Sequence, residues 1–153
     1  MNKTNVMRLL DQKKIEYKSY SYNSDIVDGV SIAAILNEPV GQVFKTLVTV
    51  ANTGVNYVFC VPVAETLDLK KAAKAVNVKS VAMIKQKELL PLTGYIHGGC
   101  SPVGMKKPLK TVIHHTASDL ETFFVSAGKV GYQVEVNPKK LSDLINATFA
   151  DII

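Results

Sequence analysis

Lys45 is the first residue whose position asks for chemistry. It lies inside Val43-Phe44-Lys45-Thr46-Leu47-Val48-Thr49-Val50, an apolar and β-branched run that reads as a strand. A charge there is costly unless it is paired, reaches water at a sheet edge, or meets an anion or a polarised carbonyl in a pocket. Strand alternation puts Lys45 on the face of Val43 and Leu47, with Thr46 on the opposite face. The second feature is Gly98-Gly99-Cys100-Ser101-Pro102-Val103-Gly104, too rich in glycine and proline for helix or strand. Amides freed in such a loop can make an anion nest or an oxyanion hole, and the loop can equally be a plain connection. The third is Ser126, a hydroxyl closing an apolar strand just before Ala127-Gly128.

None of these comes with a partner that completes a familiar machine. A nucleophilic serine or cysteine needs a base, and His97, His114 and His115 show no triad spacing. They also lack HxxxH or HExxH spacing, so no metal is expected. Cys60 belongs to the apolar run Tyr57–Val61 and reads as core, while Cys100 has no identifiable base; without a CxxC pair, both are expected to be free thiols. Gly128-Lys129-Val130-Gly131 is not a phosphate-binding P-loop, so ATP has no support and no cofactor is expected. Tyr17, Tyr20 and Tyr22 alternate along one extended segment, suited to stacking on a base or to packing with wet tips.

The surrounding elements follow from periodicity. Thr4 caps a helix through Val6, Leu9 and Leu10; Ile15 to Tyr22 is extended; Ser31 caps a short helix from Ile32 to Leu36. Val43–Val50 and Tyr57–Val63 form a hairpin around Asn52-Thr53-Gly54, with Pro62 marking an edge or a strand end. Asp68 opens an alanine-rich helix, Val78–Ile84 is a weaker strand, and Lys87–Leu90 makes a helical turn before Pro91. Thr111–His115, Thr122–Ser126 and Tyr132–Val136 read as strands, Asn137-Pro138 starts a helix, and Phe149–Ile153 closes the chain as a strand. Most neighbours read as hairpin partners. The expected class is α+β, a mixed, largely antiparallel sheet curling toward a barrel and flanked by helices, with residues 1–153 as a single domain.

The 153 residues are 47% hydrophobic and 20% charged, an ordinary globular balance without a signal-peptide or membrane-length apolar run, so a cytoplasmic protein is expected. The net charge of +5 is carried by lysine, Arg8 being the one arginine. Lysine is a point charge suited to phosphate, so the balance fits a polyanion held by its backbone, or simply a soluble basic protein.

Phe44-Lys45-Thr46-Leu47, the Gly-x-Ser-Pro-x-Gly loop and Ser126-Ala127-Gly128 with Gly131, in that order and spacing, resemble the YbaK/EbsC family of free-standing aminoacyl-tRNA deacylases. These are relatives of the editing domain in bacterial prolyl-tRNA synthetases. The likeness spans essentially the whole chain. It implies the barrel-like mixed-sheet fold and hydrolysis of the ester joining a wrong amino acid to tRNA. The branch this sequence looks most like acts on cysteine mischarged to proline tRNA. The likeness places the catalytic positions on Lys45, Gly99 and Ser101, with substrate-binding positions on Tyr20, Thr46, Pro102, Gly104 and Ser126. It further implies that the substrate's own thiol attacks its ester, so the protein positions groups and stabilises charge. The implied partners are the acceptor end of aminoacylated tRNA and, as a possible dock, prolyl-tRNA synthetase. Two alternatives stay open: the same fold clearing another amino acid such as alanine, and a non-catalytic tRNA- or synthetase-binding module.

Overall fold

The computed structural model describes residues 2–26 and 28–153. Helix α1 (Asn5–Gln12) starts where Thr4 Oγ1 accepts the Met7 N–H at 3.3 Å, and it buries Val6, Met7 and Leu10 on one stripe. Strand β1 (Tyr17–Ser21) follows, then α2 (Gly29–Ile35), β2 (Phe44–Ala51) and β3 (Asn56–Pro62). Next come α3 (Leu69–Ala75), β4 (Val81–Met83), α4 (Gln86–Thr93) and β5 (Lys110–His114). The chain closes with β6 (Phe123–Ser126), β7 (Tyr132–Val136), α5 (Pro138–Ile145) and β8 (Thr148–Ala150).

The strands make two sheets. One has three antiparallel strands in the order β1-β7-β6, and the other has five in the order β4-β2-β3-β5-β8. Val43 forms a lone parallel bridge to Phe124, which ties the start of β2 to β6. The α+β class expected from the sequence is present, but among the described residues the sheets stay open and do not close into a barrel. The strand pairing is mixed and largely antiparallel, as expected, but fewer neighbours are hairpin partners than the sequence suggests. β2 and β3 form the expected hairpin, whereas β3–β5 and β5–β8 are parallel pairs reached by long crossovers. Between β3 and β5 the chain makes α3, the short β4 that joins the far side of β2, and α4. Local periodicity carries no signal for that return.

Local chemistry explains the remaining differences. α2 is capped by Asp28 rather than Ser31: the Asp28 carboxylate accepts the Ser31 N–H at 3.1 Å and the Ser31 hydroxyl at 2.9 Å. A charged acceptor three residues upstream outcompetes the serine it binds. α4 runs through Pro91, losing one internal donor, and ends at Gly94 with φ 84°. Pro62 ends β3, a central strand, so it marks a terminus and not an edge.

The main core lies between the two sheets. Phe44, Val48, Val58, Cys60 and Ile113 of the larger sheet meet Phe123, Val125, Val134 and Val136 of the smaller, with α1 and Leu141 of α5 closing the ends. Phe44 and Phe123 pack edge to face at 5.2 Å. On the other side of the larger sheet, Ala72, Ala73 and Val76 cover Phe59, Val61 and Val112. A small third cluster joins Ala33 of α2 to Val43, Val63 and Phe124. That cluster holds α2 against the open seam between the sheets.

Candidate active-site cleft

The seam widens into a cleft of about 450 Å³. Its walls come from α2 (Asp28, Gly29, Ile32), the first half of β2, and the loop at His97, Gly98 and Cys100. Ser126 of β6 and Gln133 of β7 complete it. The reason β2 can serve as a wall is its pairing. β4 bonds only to Thr49, Val50 and Ala51, so residues 44–47 have a neighbour on the β3 side alone. Both Lys45 and Thr46 therefore line the cleft although their side chains leave opposite faces of the strand. Lys45 is half-buried and forms no ion pair among the described residues. The Asp28 carboxylate lies across from it. The Ser31 hydroxyl and backbone N–H hold Asp28 below the ordinary carboxylate value, and the field of Lys45 adds to that.

The glycine loop lies against the turn that follows β6. A Cβ on Gly99 would sit 2.9 Å from the Val130 nitrogen and 3.2 Å from the Lys129 carbonyl carbon, so only glycine allows this backbone contact. The Gly99 N–H is used locally, donating to the Ile96 carbonyl at 3.0 Å. Gly98 and Cys100, on either side, face the cleft. Ser101 is fully buried, and its Oγ accepts the Val103 N–H at 3.2 Å, which shapes the loop from behind. Pro102 and Gly104 line a separate, mostly apolar cavity of about 350 Å³ with Leu9, Met105 and Leu144. Ser126 is in the cleft, its Oγ accepting the Gly128 N–H at 3.2 Å. Tyr20 stands beside the cleft and not in its wall. Its ring packs on Phe124 at 5.4 Å and its hydroxyl donates to Glu135 at 2.7 Å. That bond, then burial, pushes its pKa up to about 12.

Gln133 carries no local signal of function in the sequence, and the structure brings it into the cleft. The signal was present in register: Gln133 sits opposite Ser126 on one side and Tyr20 on the other, so three polar side chains form one row across the smaller sheet. Ile32, Leu89 and His97 were likewise placed by tertiary packing alone.

The thiols are not prepared for nucleophilic work. Burial pushes Cys100 up to about 12, and burial likewise lifts Cys60, at the core, to about 12. Cys60 should resist a disulfide reagent at pH 8 until the protein unfolds, and Cys100, part-exposed at the cleft but held as the thiol, should react slowly, both readable by absorbance. Rapid labelling of Cys100 in the folded protein would contradict this environment. The sign for stability follows: thiols raised in the folded state favour folding below their ordinary value near pH ~8.5 and lose that contribution as pH climbs toward 12. His114, whose pKa is instead drawn down by burial and then by His115, lies outside the cleft against Ile152 and Asp151.

Residues 24–144 match the aminoacyl-tRNA editing domain, and the chain belongs to that family. Among individual relatives, a protein of Enterococcus faecalis is 44% identical over 152 residues, covering 98% of this chain and 93% of its own length. It bears the name EbsC and a proposed Cys-tRNA(Pro)/Cys-tRNA(Cys) deacylase activity. The proline–tRNA ligase of Burkholderia multivorans is 27% identical over 108 residues, which is 68% of this chain and 19% of the ligase. A crystal structure described as a candidate trans-editing enzyme for prolyl tRNA synthetase superposes with TM-score 0.84 at 25% identity, covering 99% of this chain and 98% of that one. The hypothetical protein APE2540 superposes at TM-score 0.89 with 20% identity, covering 97% and 99%, and shares the fold.

Proposed function

We propose that this protein is a trans-acting deacylase that removes cysteine from mischarged proline tRNA. The observation that carries the reading is the composition of the cleft. Among the described residues it holds a lysine without an ion pair and a strand edge beside a glycine loop, and no activated nucleophile. Such a site suits a substrate that brings its nucleophile. The cysteinyl ester has one: its thiol attacks the ester carbonyl, the carbonyl–oxygen bond to the ribose breaks, and the ribose oxygen leaves with a proton. The resulting four-membered cyclic thioester is opened by water to free cysteine. Lys45 and the loop amides near Gly98 and Cys100 stabilise the charge that builds on oxygen, while the cleft holds thiol and carbonyl in register.

The relative with the proposed Cys-tRNA(Pro)/Cys-tRNA(Cys) deacylase activity supports this substrate class. The partial match to the ligase supports prolyl-tRNA synthetase as the protein beside which this chain works, the lysine-rich surface holding tRNA by its phosphates. No described helix is long and apolar enough to cross a membrane, consistent with a protein working where translation occurs. The test is release of labelled amino acid from Cys-, Ala- and Ser-tRNA(Pro). Turnover of the cysteinyl ester well above the other two is expected, whereas a preference for alanine would assign the fold to a different mischarged tRNA. Binding without turnover of any would make the chain a passive tRNA module.

A further inference from the structure

Gln133 is the buried polar group in the cleft that the mechanism above leaves unused. It is 5% exposed, lines the cleft, and its Oε1 has no hydrogen-bond partner among the described residues. An amide oxygen left this way is costly, so an acceptor kept buried without a donor at a ligand cleft points to a donor on the ligand. Its row neighbours are committed elsewhere. The Tyr20 hydroxyl donates to Glu135, and Ser126 Oγ accepts from Gly128. Glu135 is itself engaged on its second oxygen, which accepts the Thr122 hydroxyl at 2.6 Å. These bonds fix β1, β6 and β7 around Gln133, whose carbonyl oxygen is left buried in that wall without a donor among the described residues.

We infer that Gln133 receives the α-amino group of the aminoacyl ester, an inference that rests on the deacylase reading. Lys45 stands on β2 and Gln133 on β7, so the two belong to different sheets that form different walls. An aminoacyl ester places its carbonyl and its amino group on adjacent carbons. With the carbonyl turned to Lys45, the amino group faces the other wall. An ammonium has three strong N–H donors, while a thiol is a weak donor, so the amide oxygen selects the amino group over the side chain. A neutral amide does this without forming an ion pair with Lys45, which stays available to the carbonyl. Gln133 thus acts as a recognition residue that orients every α-aminoacyl ester, leaving discrimination among side chains to the rest of the cleft.

The experiment crosses enzyme variants with two esters on the same tRNA(Pro): cysteinyl, and 3-mercaptopropionyl, which keeps the thiol and lacks the amino group. Gln133→Met should lower kcat/KM on the cysteinyl ester by about 10–100-fold and leave the mercaptopropionyl ester within about twofold of wild type. Equal losses on both esters, or no loss on either, would overturn the assignment. Gln133→Glu, which keeps an acceptor, guards against a misfolded methionine variant. It should preserve the preference for the cysteinyl ester, and loss of that preference in a folded Gln133→Glu protein would also overturn it. Wild type inactive on the cysteinyl ester refutes the deacylase reading beneath; wild type active with Gln133→Met unchanged refutes the role of Gln133 alone.

Discussion

Lys45→Met is expected to lower kcat/KM for Cys-tRNA(Pro) by about 10²–10³-fold, the scale on which one pre-positioned charge-stabilising donor acts. The same substitution should leave the unfolding midpoint nearly unchanged, because Lys45 has no ion pair among the described residues and stands on the part of β2 that β4 does not cover. Methionine keeps the length and apolar stem of the side chain, so the change isolates the ammonium. Lys45→Arg should recover only part of the activity, since a planar guanidinium cannot occupy the place of a compact ammonium beside Thr46 and Leu47. Steady-state deacylation and a denaturant melt on the same preparations check this. A large loss of stability in Lys45→Met, or full activity, would make the lysine a solvated edge residue.

Gly99→Ala is expected to cost about 1–3 kcal/mol of stability, as overpacking does, and most of the deacylase activity. The added methyl meets backbone on the Lys129–Val130 turn and not a side-chain tip, so neither partner can rotate away. The loop must lift, and with it Gly98 and Cys100 leave their places opposite Ser126. Gly41→Ala is the control: a Cβ there meets nothing within 4 Å, and its φ is not in the left-handed region. It should be neutral or slightly stabilising through the unfolded chain. If Gly99→Ala were as stable and active as Gly41→Ala, the loop–turn contact would not be what shapes the cleft.

How far the sequence could be read depended on whether a feature was local. Caps at Thr4, Asp68 and Asn137 are legible because donor and acceptor lie within three residues. The β2–β3 hairpin is legible because its turn is short. The parallel returns to β5 and β8 are not, since no local pattern encodes partners as far apart as Tyr57 and Lys110 or Val112 and Thr148, and whether the sheets close is not written locally either. In the site, Lys45 was visible as a charge in an apolar strand. What periodicity could not give was that the strand edge there is open, which lets Thr46 share the cleft despite facing away. Gln133 was hidden because a polar residue in an alternating strand ordinarily meets solvent, whereas here it stands buried between Tyr20 and Ser126 at the cleft. Pro102 and Gly104 lie in the same loop as Gly98 but on its far side, a distinction that one dimension does not carry.

In the proposed reaction the reacting sulfur belongs to the substrate. The direct measurement compares deacylation of cysteinyl-tRNA(Pro) and 2-aminobutyryl-tRNA(Pro), which has a methyl in place of the thiol, by wild type and Cys100→Ala. Rapid release of cysteine by both proteins and no release of aminobutyrate by either is the expected result. Loss of cysteine release in a folded Cys100→Ala protein, or equal release of aminobutyrate, would contradict it.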